Sequence, residues 1–476
     1  MMRVAVLASE AVPFSKTGGL GDVAGALPKF LKKQGADSVL ITPFYQQQTK
    51  IELIDSRPID DLIVDWRGSA YRCGAFFSER GGVPAFLIDA PEFFQRDSIY
   101  GFREDYLRYA FFSKAALALM KRIGAPPDIV HLNDWHTGFA AVEIADKRRW
   151  DGFFRNVKTV FSIHNLAYQG VFGEEELWKL GYSEDWQRSA FLANGAANAM
   201  KAGLTCSDWL STVSRGYARE TMNSELGNGL DWLLRERSNR YIGITNGVDY
   251  EEWNPAADKN IAANYTANDL SNKRKCKQDL LRHFGLHVDL ERPVFGWVSR
   301  LTPQKGVDLL QSVAFEIVMS GCYFVALGSG SSEYENFLQA LRDFAPRQVG
   351  VFKGYNEPLA HKIEAGSDMF LMPSKFEPCG LNQMYSLRYG TVPVVRATGG
   401  LDDTVQEFDR LSQTGNGFKF HPYNSGAFLE KIYEAIYSYA EPDVWRKIQL
   451  NGMRVDNSWE KAANNYLSLY SLAMRS

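Results

Sequence analysis

Short apolar runs alternate with amphipathic stretches along the first half of the chain. Runs with the length and composition of buried strands are RVAVLAS (3–9), DSVLITPF (37–44), VPAFLIDA (83–90), DIVHLN (128–133) and KTVFSIHN (158–165). Helical spacing lies between several of them, for example in LRYAFFSKAALALMKRIG (107–124). This alternation predicts a mostly parallel sheet that is covered by helices.

The pattern breaks in the turn-rich segment YIGITNGVDYEEWNPAAD (241–258), and a second series of strands and helices follows. Its strands are predicted over residues 293–300, 323–329, 349–355, 369–374 and 392–397, with helices over 306–321 and 333–345. The last segment, 458–476, has helical spacing behind Ser458, a residue type that caps helices. We therefore predict two doubly wound α/β domains facing a cleft, with ligands at the carboxyl ends of strands.

Composition excludes several classes of protein. The 476 residues suffice for two or three domains, and 45% hydrophobic with 23% charged residues is an ordinary globular balance. A net charge of -3 argues against bulk nucleic-acid binding. The five cysteines are scattered without a C-x-x-C pair, which indicates reduced thiols. The N-terminal apolar run is too short for a signal peptide, and none reaches the roughly 18 residues of a membrane span. We expect a cytoplasmic protein with no membrane or nucleic-acid partner.

The glycine-rich stretch SKTGGLGDVAG (15–25) lies between an apolar strand and an amphipathic run. Glycines let backbone N–H groups approach a phosphate, the helix start adds a partial positive charge, and Lys16 adds a full one. GLGDVA (19–24) fits the relaxed dinucleotide motif, but it follows the strand by about ten residues, and the second strand, ITPFY, ends without the ribose-binding acid. A cradle for a phosphate or phosphosugar is favoured over a dinucleotide site and over a purely structural turn.

Two further motifs follow apolar runs directly. HLNDWHTG (131–138) and SIHNLAYQG (162–170) supply Asp134, His136, His164 and Asn165 at predicted strand ends. Their spacing does not form a convincing metal set, and such side chains suit hydrogen bonding to a polyhydroxylated ligand. The alternative is that Trp135 and the histidines are satisfied core residues. That alternative is favoured for His131, which lies within the strand.

The second half carries a cationic motif, SRLTPQKG (299–306). Arg300 ends a strand and Lys305 precedes a helix, so both can stabilise a diphosphate as negative charge develops on it. The chain has no D-x-D triplet of the kind that holds a divalent ion in many sugar-nucleotide enzymes. Basic side chains would have to take the place of that ion. The alternative is two solvated surface cations.

The longest motif is PSKFEPCGLNQMYSLRYGTVPVVRATGGLDDTV (373–405). Glu377 precedes residues 378–380, which we predict to open a helix, and its carboxylate should project toward the ligand. Backbone N–H groups of Cys379, Gly380 and Leu381 should point the same way. A capping role for Glu377 is the alternative. Cys379 has no nearby histidine in sequence, which argues against a thiol nucleophile.

Eight motifs in order carry a family resemblance: KTGGLGDVAGALP, NDWHTG, IHNLAYQG, MKAGL, ITNGVD, SRLTPQKG, FEPCGLNQMYSLRYGT and ATGGLDDTV. Together they resemble the bacterial glycogen synthases and plant starch synthases of glycosyltransferase family 5, which have the GT-B fold. The resemblance covers Ser9 to about Ser458. It implies an acceptor-side domain over 1–245, joined by a C-terminal helix over 459–476, and a nucleotide-sugar-binding domain over 246–458.

The resemblance also implies an activity. It is transfer of glucose from ADP-glucose to the non-reducing end of an α-1,4-glucan, with retention of configuration and with no metal or other cofactor. Either a carboxylate forms a covalent glucosyl-enzyme, or the acceptor attacks the face from which the phosphate departs. The second route is favoured because the motifs offer no isolated nucleophile.

Residue roles follow from the same resemblance. Lys16 and the backbone at Gly18 and Gly19 are expected to bind the diphosphate, and Arg300 and Lys305 to stabilise the departing ADP. Tyr355 is expected near the adenine, and Asn246 is counted among the substrate-binding residues. The residues expected around the glucose are Asp134, His164, Asn165, Glu377, Cys379, Gly380 and Leu381. Those with predicted catalytic roles are Glu377, His164, Asp134, Arg300 and Lys305.

Three other classes of protein remain as alternatives. A glucan phosphorylase shares the fold type but would carry pyridoxal phosphate on a lysine. A dinucleotide oxidoreductase would need the acid that is missing after the second strand. A non-catalytic glucan-binding protein would not need Glu377 and Lys305, yet both are present.

Overall fold

In the computed structural model, which describes residues 1–476, the chain divides into two units. The first comprises residues 1–245 together with 459–476, and the second comprises 246–458. No helix has both the length and the hydrophobicity that a membrane span requires. The five cysteines are all free.

A nine-stranded sheet forms the centre of the first unit. From edge to edge its strands are Tyr241–Gly243, Trp209–Thr212, Lys158–Ile163, Ile129–Asn133, Arg3–Leu7, Asp37–Pro43, Ala85–Asp89, Ser69–Ser78 and Ser56–Trp66. The first seven pair in parallel, and the last two form an antiparallel hairpin at one edge. Central strands are buried along their length, because helices cover both faces of a parallel sheet.

Helices and a small second sheet complete the first unit. Its α-helices are Gly19–Lys33, Pro91–Phe94, Asp105–Ile123, Gly138–Lys147, Glu176–Lys179, Asp185–Phe191, Ala199–Cys206, Arg215–Thr221, Asp231–Glu236 and Trp459–Arg475. The three-stranded sheet consists of Val171–Phe172, Ala196–Asn198 and Leu192–Ala193. The C-terminal helix belongs to this core, since the Trp459 ring stacks on Phe30 with centroids 6.3 Å apart and Tyr470 bonds to His131.

The second unit has a six-stranded, fully parallel sheet. Its strands in order are Val349–Lys353, Tyr323–Gly328, Val294–Val298, Met369–Met372, Val392–Arg396 and Phe418–Phe420. The α-helices are Lys273–His283, Val307–Met319, Ser332–Phe344, Glu357–Gly366, Asn382–Tyr389, Gly399–Thr404, Ser425–Tyr439 and Pro442–Met453. Both units are therefore doubly wound α/β folds, as the alternating pattern predicts.

The edge hairpin is the main element that the sequence pattern does not predict. In its outer strand, SRPIDDLIVDW, only Ile59, Leu62 and Val64 are buried. The strand has a single neighbour and an exposed polar face, so it lacks the continuous apolar run of a central strand.

Candidate active site

The glycine-rich stretch of the first unit forms a loop and a helix start. Strand Arg3–Leu7 leads into the loop, and the helix begins at Gly19 with Gly18 as its N-cap. The carboxylate of Glu10 accepts hydrogen bonds from the backbone N–H groups of Thr17 and, at 3.2 Å, of Gly18. Lys16 Nζ lies 2.6 Å from Asp22 Oδ1 in the first helical turn. The N–H of Gly18 is thus engaged by Glu10, whereas Gly19, as the first helical residue, has no intrahelical acceptor for its N–H.

Glu10 is a functional candidate that the sequence reasoning missed. Its side chain is buried, with 2% of the residue exposed. Burial raises the pKa of its carboxyl to about 7, although backbone N–H groups of Thr17, Gly18 and Gly21 favour the ionised form. An acid directly after the apolar run VAVLAS was the available signal.

The two polar motifs of the first unit meet at adjacent strand ends. Asp134 follows strand Ile129–Asn133 and has a φ of 56°, which is unusual for a non-glycine residue. Its Oδ1 accepts hydrogen bonds from the N–H groups of His164 at 2.7 Å and Asn165 at 3.4 Å, directly after the neighbouring strand Lys158–Ile163. Hydrogen bonds between two adjacent strand ends therefore join three predicted site residues, Asp134, His164 and Asn165.

Burial favours the uncharged forms of both Asp134 and His164. It raises the pKa of Asp134 to about 7, against the effect of the two N–H donors. It lowers the pKa of His164 to about 3, so this imidazole is neutral at pH 7. Its Nε2 lies 2.9 Å from Asn133 Oδ1, which fixes the ring.

The other histidines divide between core and site. His131 is fully buried and bonds to Tyr470 and Ser162, so it is a satisfied core residue as expected. His136 is also buried, between the rings of Tyr100 and Tyr109, but its Nδ1 has no hydrogen-bond partner.

A pocket of about 600 Å³ lies beside these residues in the first unit. Trp135, Tyr168, Gln169 and Asn228 are among its lining residues, and the residue Tyr168 is 62% exposed. Aromatic faces with amide side chains are chemically suited to a sugar, whose rings are apolar on their faces and polar at their edges.

In the second unit, the structure brings Lys305 and Glu377 together. Lys305 Nζ lies 2.5 Å from Glu377 Oε2, and Ser374 Oγ lies 3.1 Å from the same oxygen. Glu377 is only 5% exposed, so its charge is largely removed from solvent. Arg300 is exposed, and its guanidinium forms no hydrogen bond or ion pair within this unit. One cation, Lys305, is therefore fixed by a buried carboxylate. The second, Arg300, lies two residues after the end of strand Val294–Val298.

Backbone contacts hold the Lys305 and Glu377 loops against each other. Lys375 N–H donates to Gln304 O at 2.8 Å, and Gln304 Nε2 donates to Phe376 O at 3.3 Å. Gly306 has a φ of 71°, and a Cβ there would lie 2.0 Å from Pro373 O. The close approach explains why glycine follows Lys305.

The structure corrects the predicted start of the helix behind Glu377. The helix begins at Asn382 with Leu381 as its N-cap, not at residues 378–380. Gly380 has a φ of 72°, which a right-handed helix does not allow. Cys379 and Gly380 thus lie in a turn before the helix.

Gly399 and Gly400, which open the helix Gly399–Thr404, pack against the backbone of Glu377. Gly400 N–H donates to Glu377 O at 3.1 Å, and a Cβ on Gly399 would lie 2.1 Å from that same oxygen. The glycine pair therefore permits the backbone of Glu377 to pack against the helix Gly399–Thr404.

Three remaining predicted residues have distinct surroundings. Burial raises the pKa of the Cys379 thiol to about 12, so it is protonated at pH 7 and is a poor nucleophile. Asn246 is buried, and its Oδ1 has no hydrogen-bond partner. Tyr355 is 73% exposed, which leaves its ring available to a ligand.

Solved structures with this architecture include sugar-transferring enzymes. The catalytic domain of starch synthase IV from Arabidopsis thaliana, bound to ADP and acarbose, superposes with a TM-score of 0.93 at 33% identity, with both chains fully covered. Sucrose-phosphate synthase from Thermosynechococcus elongatus shares the fold at 16% identity and a TM-score of 0.62. The fold and its likeness to the starch synthase structure define a glycosyltransferase of the GT-B class.

Comparisons of sequence identify the family within this class. Residues 3–236 match the family described as starch synthase catalytic domain, and residues 282–449 match glycosyl transferases group 1. Glycogen synthase 1 of Geobacter metallireducens is 43% identical over 100% of this chain and 96% of that protein. Glycogen synthase of Clostridium kluyveri is 42% identical over 98% and 99%. The chain belongs to the glycogen and starch synthase family.

The buried carboxyls of the first unit should give its stability a defined pH dependence. The pKa of Asp134 is raised to about 7 on folding, so the native state binds its proton more tightly than the unfolded chain. That contribution to stability is complete below the unfolded pKa of about 4 and is lost as pH rises through 7. We expect Asp134→Asn to gain free energy of unfolding relative to wild type as pH rises from 5 to 8.

Urea unfolding at several pH values measures this difference. Asp37→Asn, at an exposed position, is the matched control and should show no such trend. A difference between Asp134→Asn and wild type that stays constant from pH 5 to 8 would contradict the assignment.

Proposed function

We propose that the protein transfers glucose from ADP-glucose to the non-reducing end of an α-1,4-glucan with retention of configuration. The names of its relatives support a glycogen synthase, and the ADP and acarbose of the Arabidopsis structure support a nucleotide donor and a glucan-like ligand. The observation that carries the proposal is the ion pair of Lys305 with buried Glu377, at the strand ends that also carry Arg300. The free cysteines agree with a cytoplasmic location.

The chemistry requires opposite charges at the donor. Breaking the bond between C1 and the phosphate oxygen leaves an oxocarbenium-like sugar and a diphosphate that gains negative charge. Arg300 and Lys305 stabilise that diphosphate, and Glu377 holds Lys305 in place and faces the sugar. Cations positioned before the reaction need no reorganisation as the charge develops, which is why such contacts lower the barrier strongly.

The other predicted residues are assigned around this step. Lys16 and Gly19 bind the diphosphate, whereas Gly18 contributes through the shape of its loop because Glu10 occupies its N–H. The exposed ring of Tyr355 packs on the adenine. The residues assigned to the glucose and its surroundings are Asp134, His164, Asn165, Asn246, Cys379, Gly380 and Leu381.

The pocket of the first unit is assigned to the acceptor. Tyr168 offers an exposed aromatic face, and Gln169 and Asn228 offer amide groups to sugar hydroxyls. We therefore assign the first unit as the acceptor-side domain and residues 246–458 as the donor-binding domain.

Retention follows from attack on the face that the phosphate leaves. Glu377 Oε2 already accepts from Lys305 and Ser374, and these donors lower its nucleophilicity. This favours direct attack by the acceptor, whose proton passes to the departing phosphate, over a covalent glucosyl-enzyme.

Product analysis tests the proposal. The purified protein is incubated with maltoheptaose and either ADP-glucose or UDP-glucose, and the chain-extended products are separated and their new linkage read by NMR. We expect extension by α-1,4-linked glucose with release of one ADP per glucose. Extension only from glucose 1-phosphate, with phosphate release, would instead indicate a phosphorylase.

A further inference from the structure

The loop that carries Lys16 is held by backbone contacts, among them Val12 N–H to Gly21 O at 3.0 Å, and by the buried carboxylate of Glu10. Residues 11–15 are held by their own backbone, since Phe14 and Ser15 N–H both donate to Ala11 O. The next backbone donors, at Thr17 and Gly18, have no such partner and donate to the Glu10 carboxylate. Glu10 lies three residues after the end of strand Arg3–Leu7. The preceding residue, Ser9, accepts a hydrogen bond from the Tyr45 hydroxyl at its carbonyl, and its hydroxyl bonds to that of Tyr100.

We propose that Glu10 is a positioning residue of the donor site, whose ionised carboxylate holds the turn at Thr17 and Gly18 so that Lys16 and the start of helix Gly19–Lys33 can bind the diphosphate. This rests on the proposed function. Both oxygens of the carboxylate are needed, because Oε2 accepts from Thr17 and Oε1 from Gly18. Protonation turns one oxygen into a donor and so leaves one of the two N–H groups unsatisfied.

The pKa of the Glu10 carboxyl lies within the pH range of ordinary enzyme assays. The carboxyl of Glu10 has a pKa raised to about 7, chiefly by burial. The titratable groups that interact with it electrostatically are Asp22 on the helix, Asp134 at the next strand end, and the hydroxyls of Tyr45 and Tyr100. The cation Lys16 is paired with Asp22. Burial favours the neutral carboxyl, and the loop N–H groups favour the ionised carboxylate. As a result, Glu10 is partly ionised near pH 7.

A consequence is that donor affinity depends on pH in a defined direction. Above pH 7 Glu10 is ionised and the turn is held, whereas below pH 7 the turn loses an acceptor. KM for ADP-glucose should therefore rise as pH falls from 8 to 6. Both phosphates of ADP-glucose are esterified and do not titrate in this range, so the effect belongs to the protein.

Glu10→Gln tests the inference. Glutamine keeps one acceptor oxygen and the shape, but it cannot ionise. We expect the variant to have a several-fold higher KM for ADP-glucose at pH 8, with a weaker pH dependence than wild type and a smaller change in kcat. Its melting temperature at pH 8 should not fall, since a neutral amide is less costly to bury than a carboxylate. Glu52→Gln, at an exposed position, is the control and should match wild type throughout.

Hydrogen exchange of the peptide covering residues 11–20 gives a readout that does not need activity. At pH 8, Glu10→Gln should exchange faster than wild type in this peptide. Unchanged exchange, an unaltered pH profile of KM, or a large loss of melting temperature would overturn the role of Glu10. Wild-type protein that neither uses ADP-glucose nor binds ADP would overturn the proposed function, which is a separate outcome.

Discussion

Lys305→Ala should lower kcat for glucose transfer by about a hundredfold or more and leave KM for the glucan nearly unchanged. One preorganised contact to a developing charge contributes about 3 kcal/mol, which corresponds to that factor. Lys305 is held 2.5 Å from Glu377, so its ammonium does not have to move as the diphosphate leaves. The loss should therefore fall on the chemical step and not on acceptor binding.

Lys353→Ala is the matched control for this variant. Lys353 also lies 2.5 Å from a carboxylate, that of Glu335 in the same unit, but its side chain is 67% exposed and it has no predicted role. An exposed ion pair contributes little, so this variant should retain wild-type kinetics. Equal and small changes in kcat and KM for Lys305→Ala would contradict the assigned role.

Glu377→Gln should lower kcat by a comparable factor and, in contrast to Lys305→Ala, should strengthen ADP binding. The substitution preserves the shape and the hydrogen bond to Ser374 but removes the negative charge beside Lys305 and the sugar. Without that charge, Lys305 attracts the diphosphate more strongly in the ground state, while the positive charge that develops on the sugar loses its counter-charge. Initial rates and calorimetric titration with ADP measure the two effects.

Glu335→Gln gives the corresponding control, because it neutralises the carboxylate that pairs with the exposed Lys353 and keeps an acceptor for the Gly330 N–H. It should change neither kcat nor ADP affinity. A Glu377→Gln variant that transfers glucose at the wild-type rate would contradict a role for this carboxylate at the sugar. Weaker ADP binding in Glu377→Gln would show instead that the carboxylate mainly supports the fold of the donor site.

The sequence predicts the fold well wherever burial is complete. Strand Met369–Met372 is buried at every position and appears as an uninterrupted apolar run. Ile129–Asn133 is also fully buried, and its apolar residues mark it as a strand despite His131. The short strands Trp209–Thr212 and Phe418–Phe420 are too brief for a periodic signal, and the edge hairpin is half solvated. These were the elements that the pattern could not reveal.

The site residues also differ in how far the sequence alone predicts their placement. Lys305 and Glu377 are 72 positions apart, yet each follows a strand of one parallel sheet, and this placement let the sequence predict their proximity. The start of helix Asn382–Tyr389 was wrong by a few residues, because the left-handed φ of Gly380 depends on tertiary packing. For Glu10 the only sequence signal is its place directly after an apolar run, because its partners are backbone N–H groups that any residue could supply.

In the proposed reaction, protein cations and not a metal ion stabilise the charge of the departing ADP. The structure does contain one group that could hold a metal, since ligand atoms of Glu252, Glu357 and His361 lie within 4.8 Å of one another. His361 Nδ1 is already 2.7 Å from Asp258, and the pKa of Glu252 is raised to about 7 by burial and by Glu357, so these two carboxyls can share a proton. No catalytic role is assigned to the group.

Glucose transfer in excess EDTA is the most direct test. Wild-type protein, ADP-glucose and maltoheptaose are assayed with EDTA alone and after Mg²⁺ is restored, and Lys305→Ala is assayed in the same way. We expect the full wild-type rate in EDTA and no recovery of Lys305→Ala by Mg²⁺. Loss of the wild-type rate in EDTA, with recovery on adding Mg²⁺, would contradict the claim that Lys305 and Arg300 carry this charge.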